Sequence, residues 1–379
     1  MKKILALMTC LGVGGVAQAQ SAVTLYGIVD EGFQYTNNQG GKTSYAMSQG
    51  GLGSSKWGLT GNEDLGGGLR AIFKLENGFN PSNGALGNNG ALFGRMAYVG
   101  LGSDRYGQIR LGKQYDLLFE SLVPLSAAGK FAGGLDAHAG DVDNVWGDFN
   151  LNNAVKYLSP TLAGFQLGAA YAFGNVAGST SRNQVVNFSL TYGNGPLALA
   201  AAYLKVNNPG TAVWNASASP VEGEAYTNPL TTPIYRGYAS AASLQIAGGG
   251  AKYQLGASNF GLLYTDVQFH GAVVATTTPL GGNAHFNTLE GNYTYNVTSA
   301  LLLGAACSYT WANDAHYGQL NLGSTYLLSK STLLYVSGVW QHASGTNSIG
   351  TEAVAANNNI TASDTPNQVV VRMGIRHSF

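Results

Sequence analysis

Residues 369–379 read Val-Val-Val-Arg-Met-Gly-Ile-Arg-His-Ser-Phe and bring the chain to Phe379. Every second position counted back from Phe379 forms a nearly continuous apolar set, and the positions between them, which include Arg372 and Arg376, are mostly polar or small. A strict period of two with unlike faces predicts a β-strand between two different solvents. Together with a secretion signal at the other terminus, it indicates a strand that closes a barrel in an outer membrane, with the terminal ring at the membrane interface.

The amino terminus has the three parts of a secretory signal peptide. Two lysines at positions 2 and 3 precede an apolar run over residues 4–16, and an Ala-Gln-Ala cleavage motif ends at Ala19. The apolar run is too short, and too often interrupted by glycine, for a membrane-spanning helix. We therefore expect a signal peptide over residues 1–19 and a single barrel domain over residues 20–379.

The composition is typical of a glycine- and tyrosine-rich β-protein, with 54 Gly, 21 Tyr and only 10 Pro. Charged residues make up 10% of the chain, well below the usual quarter of a soluble domain. After the signal no apolar run is long enough for a transmembrane helix, so a membrane location would require closed β-structure. A secreted β-sandwich of about 360 residues would show domain breaks, and we find no linker or composition shift.

Removal of the signal peptide changes the charge and the cysteine count. Two lysines leave, so 17 Lys and Arg remain against 19 Asp and Glu, a net charge of −2. Cys10 leaves as well, which excludes a disulfide within one mature chain. We expect the remaining Cys307 to be a small apolar filler on a strand.

Tight turns alternate with long polar stretches along the chain. The short turns are expected at residues 61–68, 102–105, 159–161, 193–196, 256–258, 296–299 and 329–331. The long stretches are expected at residues 37–44, 80–90, 119–150, 174–182, 208–236, 270–283, 311–316 and 343–365. Seven turns and eight loops predict an all-β, 16-stranded antiparallel transmembrane barrel with short turns in the periplasm and a lumen wide enough to hold water.

Aromatic residues near the strand ends are expected to form two girdles on the lipid-facing surface. The candidates are Trp57, Phe73, Tyr98, Phe165, Tyr309 and Tyr335.

Four stretches of the sequence, residues 55–76, 93–101, 111–116 and 374–379, resemble the Gram-negative general porins, in particular the β-proteobacterial branch. The resemblance covers essentially the whole mature chain. It implies a homotrimer of barrels in the outer membrane of a Gram-negative bacterium, each with its own pore and an inward-folded third loop. The implied partners are outer-membrane lipid and lipopolysaccharide, small hydrophilic solutes, and the barrel-assembly machinery, which would contact the C-terminal strand through Phe379. No nucleic acid, cofactor or metal is implied.

The resemblance identifies residues 119–150 as the constricting loop and its acids as one wall of the pore. The candidates are Asp116, Glu120, Asp136, Asp141 and Asp143, and Asp148 lies in the same loop. The loop lacks the Pro-Glu-Phe-Gly sequence of enterobacterial relatives, so which carboxylates face the lumen stays open.

The opposing wall is expected to be basic. The candidates are Lys56, Arg70, Lys74, Arg95, Arg110 and Lys156. The first four take lumen-facing positions if Trp57, Phe73 and Tyr98 face lipid, and Lys56 and Arg95 match the positions of eyelet arginines in relatives. Each base has an alternative as a snorkelling side chain or a rim ion pair. Bases facing acids would create a transverse field through which hydrated solutes diffuse passively, and we expect a slight preference for anions.

Three other functions remain open. A barrel enzyme would need a nucleophile, a base and an orienting group at one rim, but the histidines are scattered and are expected at the surface: His138, His270, His285, His316, His342 and His377. A porin specific for sugars or organic anions would show more aromatic residues along the constriction than Phe131, Trp146 and Phe149. A structural or adhesive barrel would have fewer strands and a plugged interior. Asp141-x-Asp143-Asn144 is only a weak calcium motif.

Overall fold

A computed structural model describes residues 22–224, 226–275 and 280–379. The expected signal peptide over residues 1–19 lies outside the described residues. The described chain is dominated by strands β1 (Ala22–Gln39), β2 (Lys42–Gln49), β3 (Lys56–Gly66), β4 (Leu69–Gly78), β5 (Met96–Ser103), β6 (Gly107–Gln114), β7 (Leu151–Leu158), β8 (Phe165–Ala172), β9 (Val185–Asn194), β10 (Leu197–Asn207), β11 (Ser243–Leu255), β12 (Ser258–Ala272), β13 (Gly282–Asn296), β14 (Leu301–Ala312), β15 (Ala315–Leu327), β16 (Thr332–Gly345) and β17 (Asn367–Ser378).

The sheet closes on itself because the first and last strands pair antiparallel, from Ile28 with Ser378 to Thr36 with Val370. On its other side β1 pairs first with β3 and then with β2, so these two short strands share one position in the barrel. Seventeen strand segments therefore occupy sixteen positions, and the predicted 16-stranded antiparallel barrel is confirmed.

Period-two alternation separates an outer apolar face from an inner polar one. In β17, Met373 and Ile375 are exposed on the outside, whereas Arg372 and Val370 are buried on the inside. Phe379 is also exposed on the outer face, and its amide donates to the carbonyl of Gly27. The strand and facing predicted for the C-terminal segment are confirmed.

Most connections between strands alternate between short turns at one end of the barrel, here called the short-turn end, and longer loops at the other end. Two of the predicted long loops are wrong, since residues 40–41 and 313–314 are two-residue connections. Gly40 and Gly41 both have positive φ (56° and 84°), which fits a tight hairpin and allows the polar residues on either side to continue as strand.

Helical segments are short. They comprise the α-helices Leu117–Leu122 (α1) and Pro209–Ala212 (α2), the 3₁₀ segments Asn88–Gly90, Val123–Leu125, Gly133–Asp136, Ala139–Asp141 and Arg236–Tyr238, and a π segment at Ala128–Ala132. Among the described residues, no helix has the length and apolar character needed to cross a membrane.

The connection between β6 and β7, residues 115–150, is called the third loop. It packs against inward-facing residues of distant strands: the amide of Ala127 donates to Glu290 of β13 at 2.9 Å, and Asn321 of β15 donates to Asp136 at 2.7 Å. Phe131 occupies the space over Gly304 and Gly323, where a Cβ would lie 2.2 and 2.6 Å from its ring. Two glycines on the inner wall thus form the seat of a loop that folds into the barrel.

Candidate pore constriction

A cavity of about 1070 Å³ lies inside the barrel between the third loop and the wall. Among the described residues that line it, the charged ones are three bases, Lys56, Arg95 and Arg376, and one acid, Asp148. The loops after β10 and β16 complete the lining, through residues such as Trp214 and Asn357. An open, charge-lined space at this place is what a pore constriction requires.

Glu76 organises the basic wall. Its Oε1 accepts from Arg95 Nε at 2.9 Å, its Oε2 accepts from the Tyr26 hydroxyl at 2.7 Å, and Lys74 Nζ lies 3.8 Å away. Lys74 also lies 4.9 Å from the centre of the Tyr26 ring. The sequence prediction included Arg95 and Lys74 but missed the acid between them. The available signal was that Glu76 shares the inward face of β4 with Lys74.

Lys56 and Arg376 differ from the other bases because, among the described residues, neither forms an ion pair. Lys56 was predicted as a pore base, and Arg376 was not. The signal for Arg376 was present, since the alternation of the terminal strand places it on the polar, inward face. Among the described residues, no carboxylate lies within ion-pair distance of either cation, and both line the cavity.

Lys156 was predicted to belong to the basic wall of the pore. This prediction is wrong, since the Lys156 side chain is fully buried beneath the third loop. Its Nζ lies 2.9 Å from Glu120 Oε1 and 2.5 Å from the carbonyl oxygen of Tyr115. Arg110 reaches the same carboxylate at 3.7 Å. Both bases therefore anchor the start of the third loop, because a buried cation is stable only with such partners.

The prediction that Arg70 belongs to the basic wall of the pore is also wrong. It pairs with Asp104 at 2.7 Å, and the two side chains are 39% and 85% exposed. Asp104 belongs to the turn between β5 and β6, so this ion pair lies at the short-turn end of the barrel. Arg70 is four residues, or roughly 13 Å, along β4 from Lys74 and does not line the cavity. The alternative of a rim ion pair describes it better.

Four of the five predicted loop acids are buried in bonds that hold the loop together. The carboxylate of Asp116 caps α1 by accepting from the Phe119 amide at 3.0 Å, and Asn144 donates to it at 2.7 Å. Burial raises the pKa of Asp116 to about 6. Asp136 accepts from Asn321. These acids do not face the lumen, which corrects the expectation for both.

Asp141 and Asp143 lie in separate networks, so the weak calcium motif is not assembled. Asp141 accepts from the amides of Trp146 and Asp148 at 2.8 and 3.1 Å. Asp143 accepts from the Thr265 hydroxyl at 2.6 Å and contacts His138 at 2.5 Å. Both acids are buried, so the prediction that they face the lumen is wrong for them as well. In the described ranges, no group of three or more His, Cys, Asp and Glu side chains could hold a metal ion.

His138 was expected at the surface and is buried instead, at 1% exposure. Its Nδ1 lies 2.5 Å from Asp143 and its Nε2 lies 3.0 Å from Glu290 Oε2. Burial alone would lower the pKa of His138, but the neighbouring Asp143 and the hydrogen bonds with both carboxylates raise it well above its usual value. Conversely, burial would raise the pKa of Asp143, and the contact with His138 lowers it. The pair is therefore an ion pair fixed beneath the loop.

Two of the six predicted girdle aromatics face inward. Tyr335 is buried and donates to Asp30 Oδ1 at 2.7 Å, and Arg110 lies 5.2 Å from the centre of the Tyr98 ring. Phe165 and Tyr309 are exposed on the outer face, as expected. Trp57 and Phe73 take the outward positions of their strands, next to Lys56 and Lys74. Cys307 is free and exposed on the outer face.

A closed barrel of sixteen strands, with a loop folded into its interior and a charge-lined cavity beside that loop, defines a diffusion channel of the outer-membrane type. A family model described as Gram-negative porin matches residues 5–346, and the chain belongs to this family. It is an outer-membrane channel of a Gram-negative bacterium through which small hydrophilic solutes diffuse.

Individual relatives agree over their full lengths. An outer membrane porin protein of Bordetella pertussis is 30% identical over 427 aligned positions, covering 100% of both chains. Outer membrane porin protein 32 of Delftia acidovorans is 29% identical, again over 100% of both. Among solved structures, an anion-selective porin from Comamonas acidovorans superposes with a TM-score of 0.72 at 24% identity, covering 95% of this chain and 100% of that one.

Proposed function

We propose that the channel prefers anions and carries out no catalytic step. The observation that supports this is the charge of the cavity lining, where the described residues include the bases Lys56, Arg95 and Arg376 and one acid, Asp148. Arg95 is partly neutralised by Glu76, so Lys56 and Arg376 supply most of the field. An excess of fixed positive charge on the lining attracts anions into the narrow section and disfavours cations.

The test is the reversal potential of the purified, refolded protein in a planar bilayer with a potassium chloride gradient. We expect a sign that corresponds to chloride preference, and we expect the double variant Lys56→Gln and Arg376→Gln to lose most of it. Arg70→Gln is the matched control, because it removes a positive charge at the short-turn end, away from the cavity. A cation-selective wild type would overturn the proposal.

A pore specific for organic anions is the second candidate, and the aromatic residues beside the bases favour it. The rings of Tyr115 and Phe119 stack at 4.2 Å, Arg95 lies 5.5 Å from the centre of the Tyr115 ring, and Trp146 lines the same cavity. Such a site would hold an aromatic carboxylate by charge and stacking together. Transient block of the chloride current by benzoate, but not by acetate, would distinguish it from a general pore.

The remaining aspects of assembly are also proposals. We infer that the chain is exported with a signal peptide over residues 1–19 and forms a homotrimer surrounded by lipid and lipopolysaccharide. The barrel-assembly machinery would bind the C-terminal strand, whose exposed outer residues and Phe379 support such recognition. A trimer form of OmpT of Vibrio cholerae, with a TM-score of 0.61 at 16% identity, has the same fold. Migration of the unheated protein at three times the monomer mass on gels would test the trimer.

A further inference from the structure

The barrel wall is interrupted between β2 and β3, at residues 50–55, here called the tongue. The register shows the size of the interruption. Glu31 of β1 pairs with Gln49 of β2, and Ile28 of β1 pairs with Lys56 of β3. Two residues of β1 therefore lie opposite the six residues that connect β2 to β3. The surplus residues cannot remain in the sheet and must leave its plane.

Asp30 holds the tongue on the inside of the barrel. Its Oδ1 accepts from the Gly51 amide at 3.1 Å and its Oδ2 accepts from the Leu52 amide at 2.9 Å. The hydroxyl of Tyr335, from the inner face of β16, donates to the same Oδ1 at 2.7 Å. Ser55 Oγ donates to the Asp30 carbonyl and accepts from the Asp30 amide, both at 3.0 Å. Asp30 and Ser55 are fully buried, so this is a built attachment.

The tongue reaches the third loop. Gly133 of that loop has φ +57°, and a Cβ there would lie 1.9 Å from the Gly51 carbonyl oxygen. Only glycine permits this approach, so the two segments meet backbone to backbone. Beyond this contact Leu52, Gly53 and Ser54 line the cavity.

The unpaired cations of the cavity lie at the edge of the tongue. Lys56 follows its last residue directly, and a Cβ on Gly53 would lie 4.0 Å from Arg376 Nη1. We propose that the tongue is a second constriction element, which narrows the pore together with the third loop, and that Asp30 is the positioning residue that fixes it beside Lys56 and Arg376. The selectivity of the pore then depends on a wall segment as well as on the inward loop.

The test places a thiol on the tongue, in a Cys307→Ser background that removes the native cysteine. Gly53→Cys suits this because its φ is ordinary and its Cβ has room. Single-channel conductance and reversal potential are recorded before and after adding a sulfonatoethyl or a trimethylammonium-ethyl methanethiosulfonate. We expect stepwise loss of conductance with both reagents, and shifts of the reversal potential toward cations with the first and toward anions with the second. Gly193→Cys, equally unobstructed but at the short-turn end, is the control and should change little.

Asp30→Ala and the milder Asp30→Asn test the positioning role. Each is combined with Gly53→Cys, after heat-shift electrophoresis shows a folded barrel. We expect faster thiol modification and reduced chloride preference, with the smaller change in Asp30→Asn. Unchanged conductance after complete modification of Gly53→Cys, or a Gly53→Cys thiol that does not react in folded protein, would overturn the proposal. These outcomes are distinct from failure of the anion preference, which is read from the wild-type reversal potential alone.

Discussion

The His138 imidazole on the third loop lies 3.0 Å from the Glu290 carboxylate on the wall of the barrel that the loop crosses to. The other oxygen of Glu290 accepts from the Ala127 amide at 2.9 Å, so one wall residue holds the loop at two points. On its other side the imidazole meets Asp143, which also accepts from Thr265 of β12. The part of the third loop that contacts the opposite wall is therefore fixed by a buried ionic network.

We predict that His138→Gln destabilises the protein, because it leaves two buried carboxylates without their cation. Removal of one partner of a buried ion pair costs about 3–5 kcal/mol. Guanidinium unfolding followed by tryptophan fluorescence measures the loss. His285→Gln is the control, since His285 is exposed, and should be close to neutral. Equal stability of the two variants would show that the network contributes nothing.

The same network predicts a pH dependence. A histidine whose pKa is raised on folding contributes stability fully below its unfolded pKa of about 6.5, and this contribution is lost as the pH rises through its folded pKa. The pKa of His138 is raised by Asp143 and by its hydrogen bonds, despite burial. The stability difference between wild type and His138→Gln should therefore be largest near pH 6 and shrink at alkaline pH, as unfolding curves at several pH values would show. A difference that grows with pH would contradict this.

The anchor at the start of the third loop predicts coupling between Lys156 and Glu120, whose charged atoms lie 2.9 Å apart. We expect Lys156→Met to destabilise the barrel, and Glu120→Gln to recover part of the loss when it is added. Contacting charged residues show coupling of about 0.5–3 kcal/mol in double-variant cycles. Additive effects of the two substitutions would mean that the pair does not act as a unit.

We predict that substitution of Glu76 changes the ion selectivity of the pore while every base on its wall is kept. Glu76→Gln removes the charge that neutralises Arg95 and Lys74, so the reversal potential should move further toward chloride. Asp104→Asn removes an acid from the exposed ion pair with Arg70 and should leave selectivity unchanged. A shift toward cations in Glu76→Gln would show that Arg95 loses its position when this ion pair is weakened.

The strands could be predicted because their signal is local. Alternation in β17 needs only neighbouring residues, and most turns follow from short polar or glycine-containing sequences. The two missed hairpins show the limit, since polar strand residues at the ends of β1 and β14 were taken for loop. A polar residue above the membrane is compatible with either structure.

The site was harder to predict because burial depends on partners far away in the sequence. Nothing near Asp136 shows that Asn321 will cover it, so its carboxylate looked like an exposed loop acid. Tyr98 was placed on the lipid face as an aromatic residue, and Arg95 was placed on the lumen face by alternation from it, although Arg95 precedes the first residue of β5. Alternation is valid only inside a strand, and one irregular residue reverses every later position.

The pairing of β1 with β17 has a consequence for the order of events in biogenesis. Ile28 pairs with Ser378, so one edge of β1 stays unpaired until β17 has been synthesised and translocated. Such distant pairing is intrinsically slow, and an unpaired edge invites association with other chains. We therefore expect the nascent polypeptide to need a chaperone between translocation and closure of the barrel, and we expect a truncation that removes β17 to prevent barrel formation altogether.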